Sequence, residues 1–448
     1  MSYESKLKNV SILGAAGKMG SGILSLIAVE AARLALENNY TDYCVNAIDT
    51  SQVALLKVKH HIRELLVKYA EKNIVWLRKI YKDRKDLIEN RDVIDEYANF
   101  VFEHINFSNL PVNCADSDLI FEAIIEDKKI KCDVIKSIEA LNKKNAFYLT
   151  NTSSIPINEL DTETNLNGRI IGFHFYNPPP VQKLVELIRT ENTDKELISF
   201  ANELAEKLEK QIVPSNDVAG FIGNGFFMRE ILLAVEESKK LSTELSDYEA
   251  MFAINKITQE YLLRPMGMFQ LVDYVGLDVC SFIMKVMNPY FENEVLHTKF
   301  LDDYLNAGIR GGQLPSGFQR DGIFQYDHDD IIGYFDLSEK KYLPIENLNK
   351  SVNQFLGENQ NKDISWFSLR IDRDINNTIS NYFNGLFSEN STAANLSQNY
   401  LYKCRQIGEQ LVNNSTAKDV DDVNMVMKLG FHHHYGPVNE YVKMEVEK

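Results

Sequence analysis

Five cysteines in 448 residues, Cys44, Cys114, Cys132, Cys280 and Cys404, stand at no metal-ligand or disulfide spacing. That excludes a disulfide-stapled secreted scaffold and suits a reducing compartment. No uninterrupted apolar run is long enough to suggest a membrane span. The opening Met1-Ser2-Tyr3-Glu4-Ser5-Lys6 has neither the apolar core of a secretory signal nor the arginine-rich character of a transit peptide. A cytoplasmic location is the expectation. Positive charge is scarce too: 48 Lys and Arg face 64 Asp and Glu, a net charge of −16. Nucleic acid is therefore not an expected partner, though a local basic cluster can still hold a phosphorylated ligand. His432-His433-His434 reads as an exposed turn, and no metal is assigned.

What is present begins with Asn9-Val10-Ser11-Ile12-Leu13, an apolar run ending in Gly14-Ala15-Ala16-Gly17-Lys18-Met19-Gly20. Met19, Ile23, Ile27, Ala31 and Leu34 then share one face of a helix over 19–38. In that context glycines let the backbone approach a pyrophosphate seated on the helix N-terminus. Gly14, Gly17, Lys18, Met19 and Gly20 are the candidate cofactor contacts. The next strand ends at Asp49, placed to accept from a ribose 2′-hydroxyl and repel a 2′-phosphate. NAD is expected over NADP. Further apolar runs at 118–124 and 146–150, with a helix between, imply a parallel, doubly wound sheet. A charged helical insert over about 53–97 reads as a hairpin carrying Lys57, Lys59, Arg63 and Lys68. Lys59 and Arg63 lie four positions apart and can share one phosphate group.

The second constellation is Ile170-Ile171-Gly172-Phe173-His174-Phe175-Tyr176-Asn177, three prolines, and Leu184-Val185-Glu186-Leu187-Ile188. Two apolar strands flank a proline turn, which can bring His174 and Glu186 side by side. A carboxylate against a histidine fixes its tautomer and stabilises the imidazolium, as a general base requires. By itself this pair also fits an ordinary core histidine satisfied by a glutamate.

These stretches, with Phe121-Glu122-Ala123-Ile124-Ile125-Glu126, Thr150-Asn151-Thr152-Ser153-Ser154, Gly220-Phe221-Ile222-Gly223-Asn224 and Arg264-Pro265-Met266-Gly267, occur in an order that resembles the L-3-hydroxyacyl-CoA dehydrogenase family. Gly317 to Tyr326 resembles the element that ends its helical domain. The resemblance implies an α/β Rossmann-type domain followed by helices, and NAD as cofactor. It implies oxidation of an L-3-hydroxyacyl-CoA to the 3-oxoacyl-CoA, as in fatty-acid β-oxidation or short-chain hydroxybutyryl-CoA metabolism. It places catalysis on His174, Glu186, Ser153 and Asn224, and cofactor contacts on Glu126 and Lys131. Ser153, Asn177 and Asn224 join Lys59 and Arg63 as candidate substrate contacts. Two departures stand out: Gly225 occupies a usual arginine position, and the glycine loop carries Ala15 or an extra residue at its first glycine place. A dehydrogenase of a non-CoA hydroxy acid and a non-catalytic dinucleotide-binding protein remain the alternatives.

The helical region reads as occurring twice: Ile254 to Gly267 and Val423 to Gly436 align at one offset, 169. The reading is a Rossmann-type domain over 1–217 and two all-α helical domains, 218–345 and a degenerate 346–448. The polar stretch 347–363 reads as a linker between them. At that offset Asn224 falls on Ala393, so the second copy brings no catalytic asparagine. Internal pairing of the copies implies a monomer, or a dimer built on another surface.

Overall fold

Strands β1 (Asn9–Leu13), β2 (Cys44–Ile48), β3 (Ile105–Ser108), β4 (Leu119–Glu122), β5 (Phe147–Thr150), β6 (Ile170–Phe175), β7 (Leu184–Ile188) and β8 (Gln211–Ser215) form one sheet in a computed structural model of the chain. Its order is β3-β2-β1-β4-β5-β6-β7-β8. The structure describes residues 2–314, 317–328, 330–357, 359 and 363–441. Every pairing is parallel except β6 with β7. The central strands are apolar on both faces because helices cover both, and the order reverses between β1 and β4. The glycine loop leaves β1 at that switch point.

Helix Lys18–Asn38 follows the loop and buries Ile23, Leu24, Ile27, Ala28, Ala31 and Leu34. Against the sequence expectation, it is long and apolar enough to cross a membrane, with 67% of its apolar window buried. Its hydropathy is explained by its place in the domain core. The insert is also richer than a hairpin over 53–97. It comprises helices Gln52–Lys72, Ile74–Ile80 and Asn90–Glu103, and it feeds β3, which the sequence reading lacked.

The chain divides into two compact units, Met1–Val218 and Ala219–Lys448. The second unit contains helices Phe221–Leu241, Asp247–Lys256, Met268–Val275, Leu277–Met287 and Lys299–Asn306. It is not purely helical. Strands β9 (Phe324–Asp327), β10 (Asp330–Asp336) and β11 (Lys341–Pro344) form a small antiparallel sheet. Fully buried Asp273 ties it down, accepting from the Ile323 amide (2.6 Å), the Phe324 amide (2.9 Å) and the Tyr326 hydroxyl (2.8 Å). The expected linker begins as a helix, Glu346–Leu356, whose Leu348, Val352 and Leu356 form a buried stripe against Asp247–Lys256.

The two stretches aligned at an offset of 169 share a tertiary detail. Shifted by 169 positions, Asn255 and Gly267 become Asn424 and Gly436. In both copies the asparagine side chain fills the space where a Cβ on the glycine would sit, 2.3 Å and 2.1 Å away. The Asn255 Oδ1 accepts from the Gln270 amide, and the Asn424 Oδ1 from the Val438 amide, both at 3.0 Å. Helix Thr392–Asn413 corresponds to Phe221–Leu241, and the two pack antiparallel: Gly225 faces Leu411, Glu230 bonds Cys404, and Glu237 bonds Asn399 and Lys403. His432–His434 is not simply an exposed turn: His434 stacks on Trp366 and its Nε2 lies 2.8 Å from the Trp366 carbonyl.

Candidate active site

Antiparallel pairing of β6 and β7 sets His174 directly opposite Glu186. Phe173, Phe175, Val185 and Leu187 turn into the domain core, so His174 and Glu186 share the other face. Nδ1 of His174 lies 3.2 Å from Glu186 Oε1, with Glu186 fully buried and His174 at 8% exposure. An N–H on Nδ1 donating to that carboxylate leaves Nε2 as the basic ring atom. The Tyr176 hydroxyl donates to the same Oε1 at 2.8 Å.

The proline turn between the strands is held from below. Lys210 donates to the carbonyls of Pro179 (2.6 Å) and Gln182 (2.7 Å), and burial followed by the nearby Lys183 charge lowers its pKa to about 8. The turn also lies on the cofactor helix: a Cβ at Gly22 would stand 2.8 Å from Pro179. Asn177 Oδ1, in the same turn, is buried without a hydrogen-bond partner among the described residues. An acceptor in that state suits a bound ligand donor.

The glycine loop has the tight packing that a dinucleotide cradle requires. Gly14 takes φ +76°, and a Cβ there would stand 2.5 Å from the Ala123 carbonyl oxygen; a Cβ at Gly20 would stand 2.0 Å from that of Gly14. Gly17 caps the helix, and Lys18 and Met19 open it. Burial depresses the Lys18 pKa. Asp49 reaches this loop, accepting from the Ala16 amide (3.1 Å) and the Ser51 amide (3.0 Å). The loop thus places one of its own amides on the Asp49 carboxylate. A carboxylate offers about four acceptor sites, so capacity remains for hydroxyls.

After β4, Glu126 Oε1 accepts from Thr152 Oγ1 (2.6 Å) and from the amides of Ser153 (2.8 Å) and Ser154 (2.9 Å). Its other oxygen is 3.2 Å from Lys131 Nζ. Burial alone would raise Glu126, but Lys131 and these donors hold it below the usual range. Lys131 is 1% exposed and bonds Glu122 at 2.6 Å. Burial opposes its charge, and Glu122 and Glu126 outweigh that. Glu122 also accepts from Thr150 Oγ1 and the Ile124 amide. The sequence reading missed Glu122, Tyr176 and Lys210. Of these Tyr176 had a signal, since it lies two positions from His174 on an extended segment and so shares its face.

Asp217 caps Ile157–Thr164, accepting from the Ile157 and Asn158 amides. Asn224 occupies the first turn of Phe221–Leu241 in the second unit. Gly225 beside it has Leu411 3.1 Å from where its Cβ would be, so the second repeat fills the space a long side chain would need. Lys59 and Arg63 share a helix, Gln52–Lys72, but each has a partner in the helix or strand that follows the insert's first two helices. Lys59 lies over Phe107 (5.1 Å), and Arg63 bonds Asn99 (2.7 Å) and lies over Phe102. Lys57 and Lys68 are exposed.

A doubly wound sheet, a tight glycine loop at its switch point with a carboxylate against it, and a buried histidine–glutamate pair are the arrangement of an NAD-linked dehydrogenase. The family profile described as the 3-hydroxyacyl-CoA dehydrogenase NAD binding domain matches residues 9–218, and the C-terminal domain profile matches 220–321. The chain is 34% identical over 221 residues to a probable 3-hydroxybutyryl-CoA dehydrogenase of Deinococcus radiodurans, covering 49% of this chain and 77% of that protein. It is 30% identical over 293 residues to the mitochondrial hydroxyacyl-coenzyme A dehydrogenase of Sus scrofa, covering 64% and 83%. The crystal structure of 3-hydroxybutyryl-CoA dehydrogenase from Escherichia coli K12 shares the fold over 96% of this chain and 90% of its own, at TM-score 0.63 and 18% identity. The chain belongs to the 3-hydroxyacyl-CoA dehydrogenase family, and it is an NAD-dependent oxidoreductase of 3-hydroxyacyl-CoA thioesters.

Proposed function

We propose that His174, Glu186, Ser153 and Asn224 carry the reversible oxidation of an L-3-hydroxyacyl-CoA to its 3-oxoacyl-CoA. The observation that carries this reading is the cross-strand pair of His174 and Glu186 beside a glycine cradle. His174 Nε2 takes the C3 hydroxyl proton while Nδ1 remains on Glu186, which stabilises the imidazolium. NAD, when bound, supplies the hydride acceptor. Gly14, Gly17, Lys18, Met19 and Gly20 hold its pyrophosphate, Asp49 its ribose, and Glu126 and Lys131 its nicotinamide end. Ser153 donates to the substrate oxygen as its charge changes, and Asn224 is the second donor by its place in the Gly220-to-Asn224 element. Asn177 contacts the substrate from the proline turn, and Lys59 with Arg63 meets the CoA phosphates. The setting is fatty-acid β-oxidation or short-chain hydroxybutyryl-CoA metabolism in the cytoplasm.

The test is NADH oxidation with acetoacetyl-CoA and with free acetoacetate, side by side. Turnover of the thioester with little or none of the free acid is expected. A preference for the free acid would replace this reading with a non-CoA hydroxy-acid dehydrogenase.

A further inference from the structure

Glu186 Oε1 is shared. His174 Nδ1 lies 3.2 Å from it and the Tyr176 hydroxyl 2.8 Å, so the phenol has the shorter contact. The two rings are themselves in contact, centroids 4.9 Å apart and tilted by 42°. Tyr176 follows β6 directly, two positions beyond His174, so the same strand aims both groups at Glu186. Burial, and then the Glu186 charge, raise the phenol far above its ordinary range, which keeps it protonated and a donor throughout the working pH range.

We propose that Tyr176 is a positioning residue that sets the strength of the His174 base by occupying part of Glu186. The inference rests on His174 being the base. A carboxylate oxygen that accepts from a phenol has less negative charge to offer the imidazolium. Glu186 then orients His174 while the phenol takes up part of its negative charge. The charged groups on the neighbouring elements are engaged elsewhere. Strand β8, beside β7, carries no titratable side chain. On β5, Tyr148 bonds Glu139. Glu126, after β4, bonds Lys131 and Ser153 of the segment after β5, and Asp217 caps the helix that follows. On that helix Asp161 bonds the Gly168 amide, and Glu159 and Glu163 pair with Lys128.

Tyr176→Phe deletes the hydroxyl and keeps the ring against His174. The primary readout is the NMR titration of the His174 ring in selectively labelled full-length protein, assigned with His174→Ala. The expected result is a midpoint raised by roughly half a pH unit or more. The same substitution made in Glu186→Gln should have no such effect, because the shared oxygen has lost its charge. The pH dependence of turnover should follow in Tyr176→Phe. The acid limb for hydroxyacyl-CoA oxidation should move up, and the limb for 3-oxoacyl-CoA reduction should move the same way. An unmoved or lowered His174 midpoint, or an equal shift in the Glu186→Gln background, overturns the proposal. Because the NMR titration needs no substrate, it reads out even if the protein turns over no hydroxyacyl thioester. That second failure would count against the catalytic reading alone.

Discussion

Asp273 is fully buried, and burial raises its pKa from 3.8 to about 7 despite donors from Phe324, Ile323 and Tyr326. For an acid the sign is the reverse of an ion-paired carboxylate. The folded protein prefers the neutral form, so this residue's contribution is fully present below about pH 4. It is lost as pH rises to about 7. The change is worth about 4 kcal/mol. The stability of the wild type relative to Asp273→Asn, measured by denaturant unfolding, should therefore fall as pH rises from 4 to 7. A difference that is flat or rises would show that Asp273 is ionised in the folded state. The partners of Asp273 lie 50 or more positions away, in and just before β9, and no local pattern announces such a clamp. His174 and Glu186 were legible because strand alternation and a short turn fix their register. Tyr176 obeyed the same alternation, but a tyrosine beside a strand end usually reads as packing.

Among the elements, helix Gln52–Lys72 carries the basic residues proposed for CoA. Its apolar spacing was legible, but which cations remain available was not, because the partners Asn99, Phe102 and Phe107 come from later in the insert. Reversing both charges, Lys59→Glu with Arg63→Glu, should raise KM for a CoA thioester far more than for its pantetheine analogue. Equal effects on both substrates would remove this pair from phosphate binding and turn attention to Lys57 and Lys68. Strand β3 escaped the sequence because it is four residues long with only Ile105 buried. Helix Glu346–Leu356 escaped because three apolar residues in a polar stretch resemble a linker until a partner helix covers them.

Within the second unit, the two helical copies bury their long helices against each other, and Leu411 occupies the space over Gly225. The repeat was legible through the aligned asparagine and glycine, whose contact makes both residue types necessary. Removing residues 345–448 uncovers the apolar face of Phe221–Leu241 and should cause aggregation or new dimerisation, read by light scattering. A truncated protein that stays monomeric, soluble and fully active would mean the second copy does not cover that face. For the molecule as an enzyme, the account turns on one side chain. The most direct measurement is acetoacetyl-CoA reduction by His174→Ala, with NADH binding followed in parallel by fluorescence. Loss of base catalysis should lower kcat by about 10²–10⁴ while NADH binds as in the wild type. Near-native turnover in that variant would contradict the account.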